Sequence, residues 1–287
     1  MSVIQQKNAR FILITGCSSG IGRHTAIRLQ EQGYQVIASA RKASDVNQLK
    51  ELGLTAVELD LDNSQSIQRA WQEVMSLTDG RLYGLFHNGA YGQPGAVEDL
   101  SRDVLRQQLE TNLLGWHELT NLALVQMRLH NEGRIIYNSS ILGLVAMAYR
   151  GAYNCSKFAL EGLVDTLRLE LHDTNIFLSL IEPGPIQSLF RKNAMAKFQQ
   201  NIDAENSFHK QNYEAMLKRL EKEGPAAPFT LPPEAVFEKV LHALESRKPR
   251  IRYPVTFPTH LFGVLKRILP LRLMDRILIK VSGGGSR

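Results

Sequence analysis

The stretch Phe11-Ile12-Leu13-Ile14-Thr15-Gly16-Cys17-Ser18-Ser19-Gly20-Ile21-Gly22 constrains the fold more than any other part of the chain. An apolar run passes straight into three closely spaced glycines, and helical periodicity begins at Arg23. Buried strand, glycine turn and helix, in that order, make the first crossover of a parallel sheet. Gly16 permits the tight bend, Gly20 lets the backbone approach a pyrophosphate, and Gly22 allows helix and strand to pack closely. The free N–H groups of the helix start, at Ile21 and its neighbours, complete an anion site.

Further apolar runs at 35–40, 55–59, 82–88, 133–138 and 176–181 are bounded by turn residues and suit strands buried on both faces. Between them, 21–32, 64–77, 102–129 and 152–172 have helical periodicity. This alternation predicts one α/β domain over 1–287, a Rossmann-type doubly wound parallel sheet of about seven strands with helices on both faces. After Glu182 the rhythm stops. Residues 187–223 are polar and helix-prone up to Gly224-Pro225-Ala226-Ala227-Pro228, and Pro232-Pro233 opens another helix through Leu244. Insertions past the last strands of an open sheet lie over its ligand-binding edge, so 187–245 is expected to be a helical substrate lid.

Of the 287 residues, 44% are hydrophobic and 22% charged, ordinary values for a globular protein. The two cysteines, Cys17 and Cys155, lie inside the two strongest motifs, which argues against a disulfide framework. No Cys/His spacing suggests a metal. The polar start, 1–10, is not a signal peptide, and no apolar run is long enough to span a bilayer, so a cytoplasmic location is expected. Net charge is +6, but ten basic residues and one acid lie from Ser246 onward, so the preceding part is mildly acidic. The basicity belongs to the tail and does not imply nucleic acid. In 257–281, Leu261, Val264, Leu265, Ile268 and Leu269, then Met274, Ile277, Leu278 and Val281, repeat at helical spacing among Lys266, Arg267, Arg272, Arg276 and Lys280. Such basic amphipathic helices either meet a membrane surface or cap the pocket or a dimer interface. The end, Ser282-Gly283-Gly284-Gly285-Ser286-Arg287, has no assigned role.

The second strand ends Ala38-Ser39-Ala40-Arg41-Lys42. An acid at this point would hold a ribose 2′-hydroxyl; Arg41, with Lys42 beside it, suits a 2′-phosphate and so NADP(H). Tyr153 and Lys157 are four apart near the start of a helix and share a face. An adjacent ammonium would lower the phenol's pKa and make the pair an acid/base unit. Asn138-Ser139-Ser140 ends the preceding strand, where a hydroxyl would polarise a substrate oxygen.

Taken with Asp60 after the third strand, Asn112 in the long helix and Pro183-Gly184, these motifs resemble the short-chain dehydrogenase/reductase family across residues 10 to 190. The resemblance implies hydride transfer between NADP(H) and a carbonyl or alcohol. Tyr153 would exchange the proton, Ser140 orient the carbonyl, Lys157 hold the nicotinamide ribose, and Asn112 bind a water in a proton relay. Ser18 and Ser19 would flank the phosphates, Asp60 meet the adenine, Asn88 lie against the cofactor, and Ser188 contact the carboxamide. Homodimers or homotetramers through 102–129 and 152–172 are implied as well. The chain departs from the family's Asn-Asn-Ala-Gly with His87-Asn88-Gly89-Ala90, which would move the close-approach glycine back by one position. His87 is read as a strand-end residue packing beneath the cofactor. The loop, Arg41 and the long C-terminal part are similar to members acting on hydroxysteroids, retinoids and lipophilic aldehydes. Fatty-acyl or sugar carbonyls, and a non-catalytic NADP sensor, are the rival readings.

Overall fold

Alternate residues of a strand face opposite sides of its sheet, and the first strand shows the consequence. Ile12 and Ile14 enter one core layer while Leu13 enters the other. A computed structural model describes residues 10–221, 224 and 227–282. Residues 1–9, 222–223, 225–226 and 283–287, which include the polar start, part of the expected lid and the glycine-rich end, lie outside the described residues.

Among the described residues, seven strands form one parallel sheet: β1 (Phe11–Ile14), β2 (Gln35–Ala40), β3 (Thr55–Glu58), β4 (Leu82–His87), β5 (Gly133–Asn138), β6 (Ile176–Glu182) and β7 (Arg252–Pro254). Their order is β3-β2-β1-β4-β5-β6-β7, with the reversal at β1 and β4 that defines a doubly wound sheet. On one face lie α1 (Gly20–Glu31), α2 (Ala43–Glu51) and α9 (Glu234–Glu245), packing Ala26, Leu29, Val46, Phe237 and Val240 against Ile12 and Ile14. On the other lie α3 (Ser64–Thr78), α5 (Gly115–His130) and α6 (Gly151–Glu170), which bring Trp71, Trp116, Leu119, Leu160 and Val164 onto Leu13 and Leu85.

The expected helix at 102–129 is interrupted. α4 (Arg102–Leu109) and α5 are joined by a π-helical turn, Glu110–Leu114. Such single π turns recur at functional sites, and Asn112 at the centre of this one is fully buried. The helix-prone stretch after Glu182 forms two helices, α7 (Phe190–Asn201) and α8 (Lys210–Glu221). They enclose a smaller core of Phe198, Ile202, Tyr213, Met216 and Leu220 that reaches Ala96 after β4. Three anchors fix it there: Asn201 donates to Gln93 (2.7 Å), His209 pairs with Glu98 (2.5 Å), and the Tyr213 hydroxyl donates to Asp99.

The tail forms α10 (Phe257–Ile268) and α11 (Leu271–Val281), broken at Pro270. Its apolar positions divide by face. Phe262, Leu265, Leu269, Met274, Ile277 and Leu278 pack on Ile141 and Val145, in the turn that follows β5. Phe257, Leu261, Val264 and Ile268 remain exposed. No helix among the described residues is long and apolar enough to cross a membrane.

Candidate active site

The C-terminal ends of β1, β4 and β5 meet at a single asparagine. Asn88 donates through Nδ2 to the carbonyls of Thr15 (3.0 Å) and Gly16 (3.1 Å), and its Oδ1 accepts from Asn138 (3.0 Å). This closes the rear of the glycine turn. Gly16 has φ +71° and lies so near the β4 end that an added Cβ would sit 2.4 Å from the Gly89 Cα. The close-approach residue of that loop is therefore Gly89, one position earlier than the family pattern, while Ala90 packs on the core beneath. A Cβ on Gly22 would sit 2.3 Å from the Gly16 carbonyl oxygen, so helix and loop touch there.

Ser19 stands at the N-cap of α1 in extended backbone and forms no side-chain cap, leaving the amides at Ile21 and its neighbours uncapped by it. Arg23 turns back to the Ser18 carbonyl. Ser188 comes down over Gly20, where an added Cβ would meet its Cβ at 3.0 Å. Glycines without room for a side chain, an uncapped helix start and a hydroxyl above them fit a dinucleotide's pyrophosphate. Arg41 is exposed just past β2. Asp60 follows β3, and its Oδ1 accepts from the Asp62 amide (3.1 Å). Pro183 accepts from the Ile141 amide (2.8 Å), and Gly184 lies under Thr256, so this segment is tied to both the 141–143 turn and α10.

Tyr153 and Lys157 share the inner face of α6, both buried. The Ser140 hydroxyl acts on the Tyr153 phenol, and its Oγ accepts from the Leu142 amide (3.0 Å) and caps the short 3-10 turn Ile141–Gly143. Lys157 donates to the Asn138 carbonyl (2.8 Å), with its ammonium 4.3 Å from the Trp116 ring centroid and 5.7 Å from that of Tyr153. Asn112 donates to the Tyr91 carbonyl (2.9 Å) and to Ser156 (3.2 Å) and accepts from the Tyr91 amide (3.2 Å), which holds the loop after β4 beside α6.

Lys157 is not among the groups acting on the Tyr153 phenol in this structure. Burial pushes Tyr153 up to about 12, with the Ser140 hydroxyl pulling the other way. Burial also brings Lys157 down to about 7, opposed by Glu161. Both groups are out of water, and the ammonium is directed at Asn138 and Trp116 rather than at the phenol. At neutral pH this tyrosine is a proton donor. His87 is held down to about 3 by burial, then by Lys157, and so is neutral. It stacks between Trp116 (5.2 Å) and Tyr137 (4.9 Å) and meets Thr120 at 2.9 Å, a packing role and not that of a base.

Several residues here carried no recognisable signal in the sequence. Phe190 sets its ring edge-on to Tyr153 at 5.4 Å, above Gly92, where a Cβ would strike it at 2.8 Å. Trp116 supports Lys157 and donates to the Gly89 carbonyl (2.9 Å). Behind Ser140, the Ser139 hydroxyl donates to Glu161, which is paired with Arg252 of β7. Only Glu161 offered a clue, being one turn from Lys157 on the same helix.

Residues 10–199 match the model of the short chain dehydrogenase family. The chain belongs to the short-chain dehydrogenase/reductase family and is an oxidoreductase of the class acting on alcohol and carbonyl groups. It is 46% identical to "Uncharacterized oxidoreductase YbbO" of Escherichia coli (strain K12) over 93% of both chains. It is 32% identical to "17-beta-hydroxysteroid dehydrogenase type 1" of Homo sapiens, over 92% of this chain and 80% of that one. Among solved structures, a short-chain dehydrogenase from Streptomyces avermitilis superposes with a TM-score of 0.75 at 26% identity over the whole of both chains.

Proposed function

We propose that this chain is an NADP(H)-dependent reductase or dehydrogenase of lipophilic aldehydes, ketones, retinoids or steroid-like alcohols. The observation that carries the reading is the convergence of Tyr153, Ser140 and Lys157 at the strand ends beside a glycine cradle with room only for backbone. Gly16, Ser18, Ser19, Gly20, Ile21 and Gly22 would hold the pyrophosphate, Arg41 the 2′-phosphate, Asp60 the adenine side, and Asn88, Pro183, Gly184 and Ser188 the nicotinamide half. Bound there, the nicotinamide supplies or accepts the hydride.

In the reducing direction, Ser140 orients the carbonyl oxygen and Tyr153, protonated at neutral pH, donates the proton to it as negative charge develops. Lys157 holds the ribose hydroxyls and lies in reach of Asn138, while Asn112 keeps the Tyr91 loop and Ser156 in register and would hold the relay water. The edge of Phe190 over Tyr153 supports a flat, apolar substrate, as does the likeness to a hydroxysteroid dehydrogenase. The anchored α7–α8 unit is read as the lid, with 1–287 a single domain. Exposed Val125, Leu129, Leu163 and Leu169 on α5 and α6 support a dimer or tetramer through those helices, and the outward faces of α10 and α11 support contact with an anionic membrane surface.

Tyr153→Phe is the test. We expect kcat with NADPH and a lipophilic aldehyde to fall by about 100-fold or more. Binding of NADPH, read by nucleotide fluorescence, should change little. Wild-type turnover in that variant ends the reading.

A further inference from the structure

Behind the Ser140–Tyr153–Lys157 group lies a buried charge cluster with no part in the scheme above. Glu161, on α6 one turn after Lys157, is buried beside Ser139 and accepts a hydrogen bond from its hydroxyl. Arg252, from the three-residue edge strand β7, donates through Nη1 to Glu161 and to Glu182 (2.7 Å), and through Nη2 to Asp165 (2.7 Å). Glu182 is the last residue of β6, and its carbonyl accepts from the Val255 amide (3.2 Å). One guanidinium therefore joins α6, β6 and β7, and Glu161 extends that junction to the serine preceding Ser140. The turn carrying Ser140 lies directly on this carboxylate. A Cβ added to Gly143 would stand 2.9 Å from both the Glu161 Cγ and the Ser139 Oγ.

Burying two carboxylates is costly unless each is paired and hydrogen-bonded. The cost is met at this point by one arginine whose planar fork reaches three acids. A cluster serving only to join α6 to the sheet edge would not need a hydroxyl from the β5 end, nor a carboxylate one helical turn from the lysine. We propose that Glu161 is a positioning residue of the active site, fixing Ser140 through Ser139 while its charge, locked in place by Arg252, keeps Lys157 cationic. This rests on the roles assigned to Ser140 and Lys157 above.

The titratable and charged groups around Lys157 are Tyr153 and Glu161 from its own helix and His87 from β4, both Tyr153 and His87 being uncharged at neutral pH. Arg252, Glu182 and Asp165 stand behind Glu161, and Arg267 of α10 acts on Glu182. Glu161, one helical turn from Lys157, is thus the anion that acts on the ammonium. Burial alone favours loss of the Lys157 proton near neutrality, and Glu161 opposes that loss.

Three forms are compared: wild type, Glu161→Gln and Ser139→Ala. Each is assayed for kcat/KM of aldehyde reduction across pH, and the Lys157 ammonium is titrated by NMR in lysine-labelled protein, assigned with Lys157→Arg. In Glu161→Gln the alkaline limb should move to lower pH by roughly half to one unit, so that activity falls about 2- to 5-fold more at pH 8 than at pH 6. The Lys157 titration should move with it. Ser139→Ala should lower kcat at every pH and leave both the limb and the titration where they are in wild type. Glu161→Gln/Arg252→Gln, which leaves no unpaired guanidinium, is run alongside and should shift in the same direction, so a folding failure of the single variant does not remove the test. An unmoved Lys157 titration, or equal loss at all pH values in the glutamine variants, overturns the proposal. Should wild type reduce no carbonyl with either nucleotide, the functional reading fails while the NMR titration still decides the coupling of Glu161 to Lys157.

Discussion

Arg41 follows β2 directly, exposed, on the side of the sheet to which the glycine turn leads. It acts on Asp62, whose carboxyl is raised first by burial and then by Asp60 and Glu110, with Lys197 of α7 and Arg41 pulling it down. In the reading proposed above, Arg41 would take the 2′-phosphate of NADP(H). Arg41→Asp should raise the Michaelis constant for NADPH by about tenfold or more relative to that for NADH, since a charge-assisted phosphate contact is exchanged for a repulsion. Steady-state kinetics with both nucleotides checks this, and equal effects on the two would detach Arg41 from the 2′-phosphate. Gly89 acts by contrast through what it lacks. Its hydrogen side chain accepts the approach of Gly16, and so the His-Asn-Gly-Ala sequence keeps the cradle intact with its glycine displaced by one residue.

The two tail helices divide their surfaces in a way that neither reading of the sequence anticipated alone. Their inner faces cap the turn after Ser140, and their outer faces present Phe257, Leu261, Val264 and Ile268 beside a row of Arg272, Arg276 and Lys280 at one-turn spacing on α11. Reversing that row to glutamate should abolish flotation with anionic liposomes while kcat on a soluble aldehyde changes less than about twofold, the row lying outside the buried face. If wild type itself stays with the buffer, membrane contact is excluded. Elements whose signal is local were legible beforehand: the strands at 35–40 and 133–138 match to the residue, and the glycine turn, Tyr153 and Lys157 lie where their spacing put them. What escaped was set by distant partners. β7 is three residues long and is a strand only because β6 lies beside it, Asn112 in the π turn bonds Tyr91 21 positions away, and Glu161 meets Arg252 across 91 positions. Phe190 likewise gains its place from Gly92 and Tyr153 and not from its neighbours in sequence.

Stability should follow pH through the imidazole enclosed between Trp116 and Tyr137. The folded His87 holds its proton only below about 3, against an ordinary value of 6.5, so the unfolded chain takes up a proton over that interval that the folded chain refuses. Its contribution is intact above 6.5 and is lost as the pH falls toward 3, at up to about 1.4 kcal/mol for each pH unit. Urea unfolding of His87→Asn should show a shallower acid decline than wild type, by up to that slope, although the variant starts lower for want of the stacked ring. Parallel slopes would show that other groups govern the acid limb. The seventh strand has a different bearing on the life of the chain. Sheets of this kind join segments far apart in sequence, and synthesis delivers those segments in order. A nascent polypeptide holds Ser139, Ser140, Lys157 and Glu161 long before the ribosome supplies Arg252, and until then Glu161 and Glu182 face each other without their shared guanidinium. A cut just ahead of β7 would part Arg252 from all three acids and leave Glu161 and Glu182 buried without their cation.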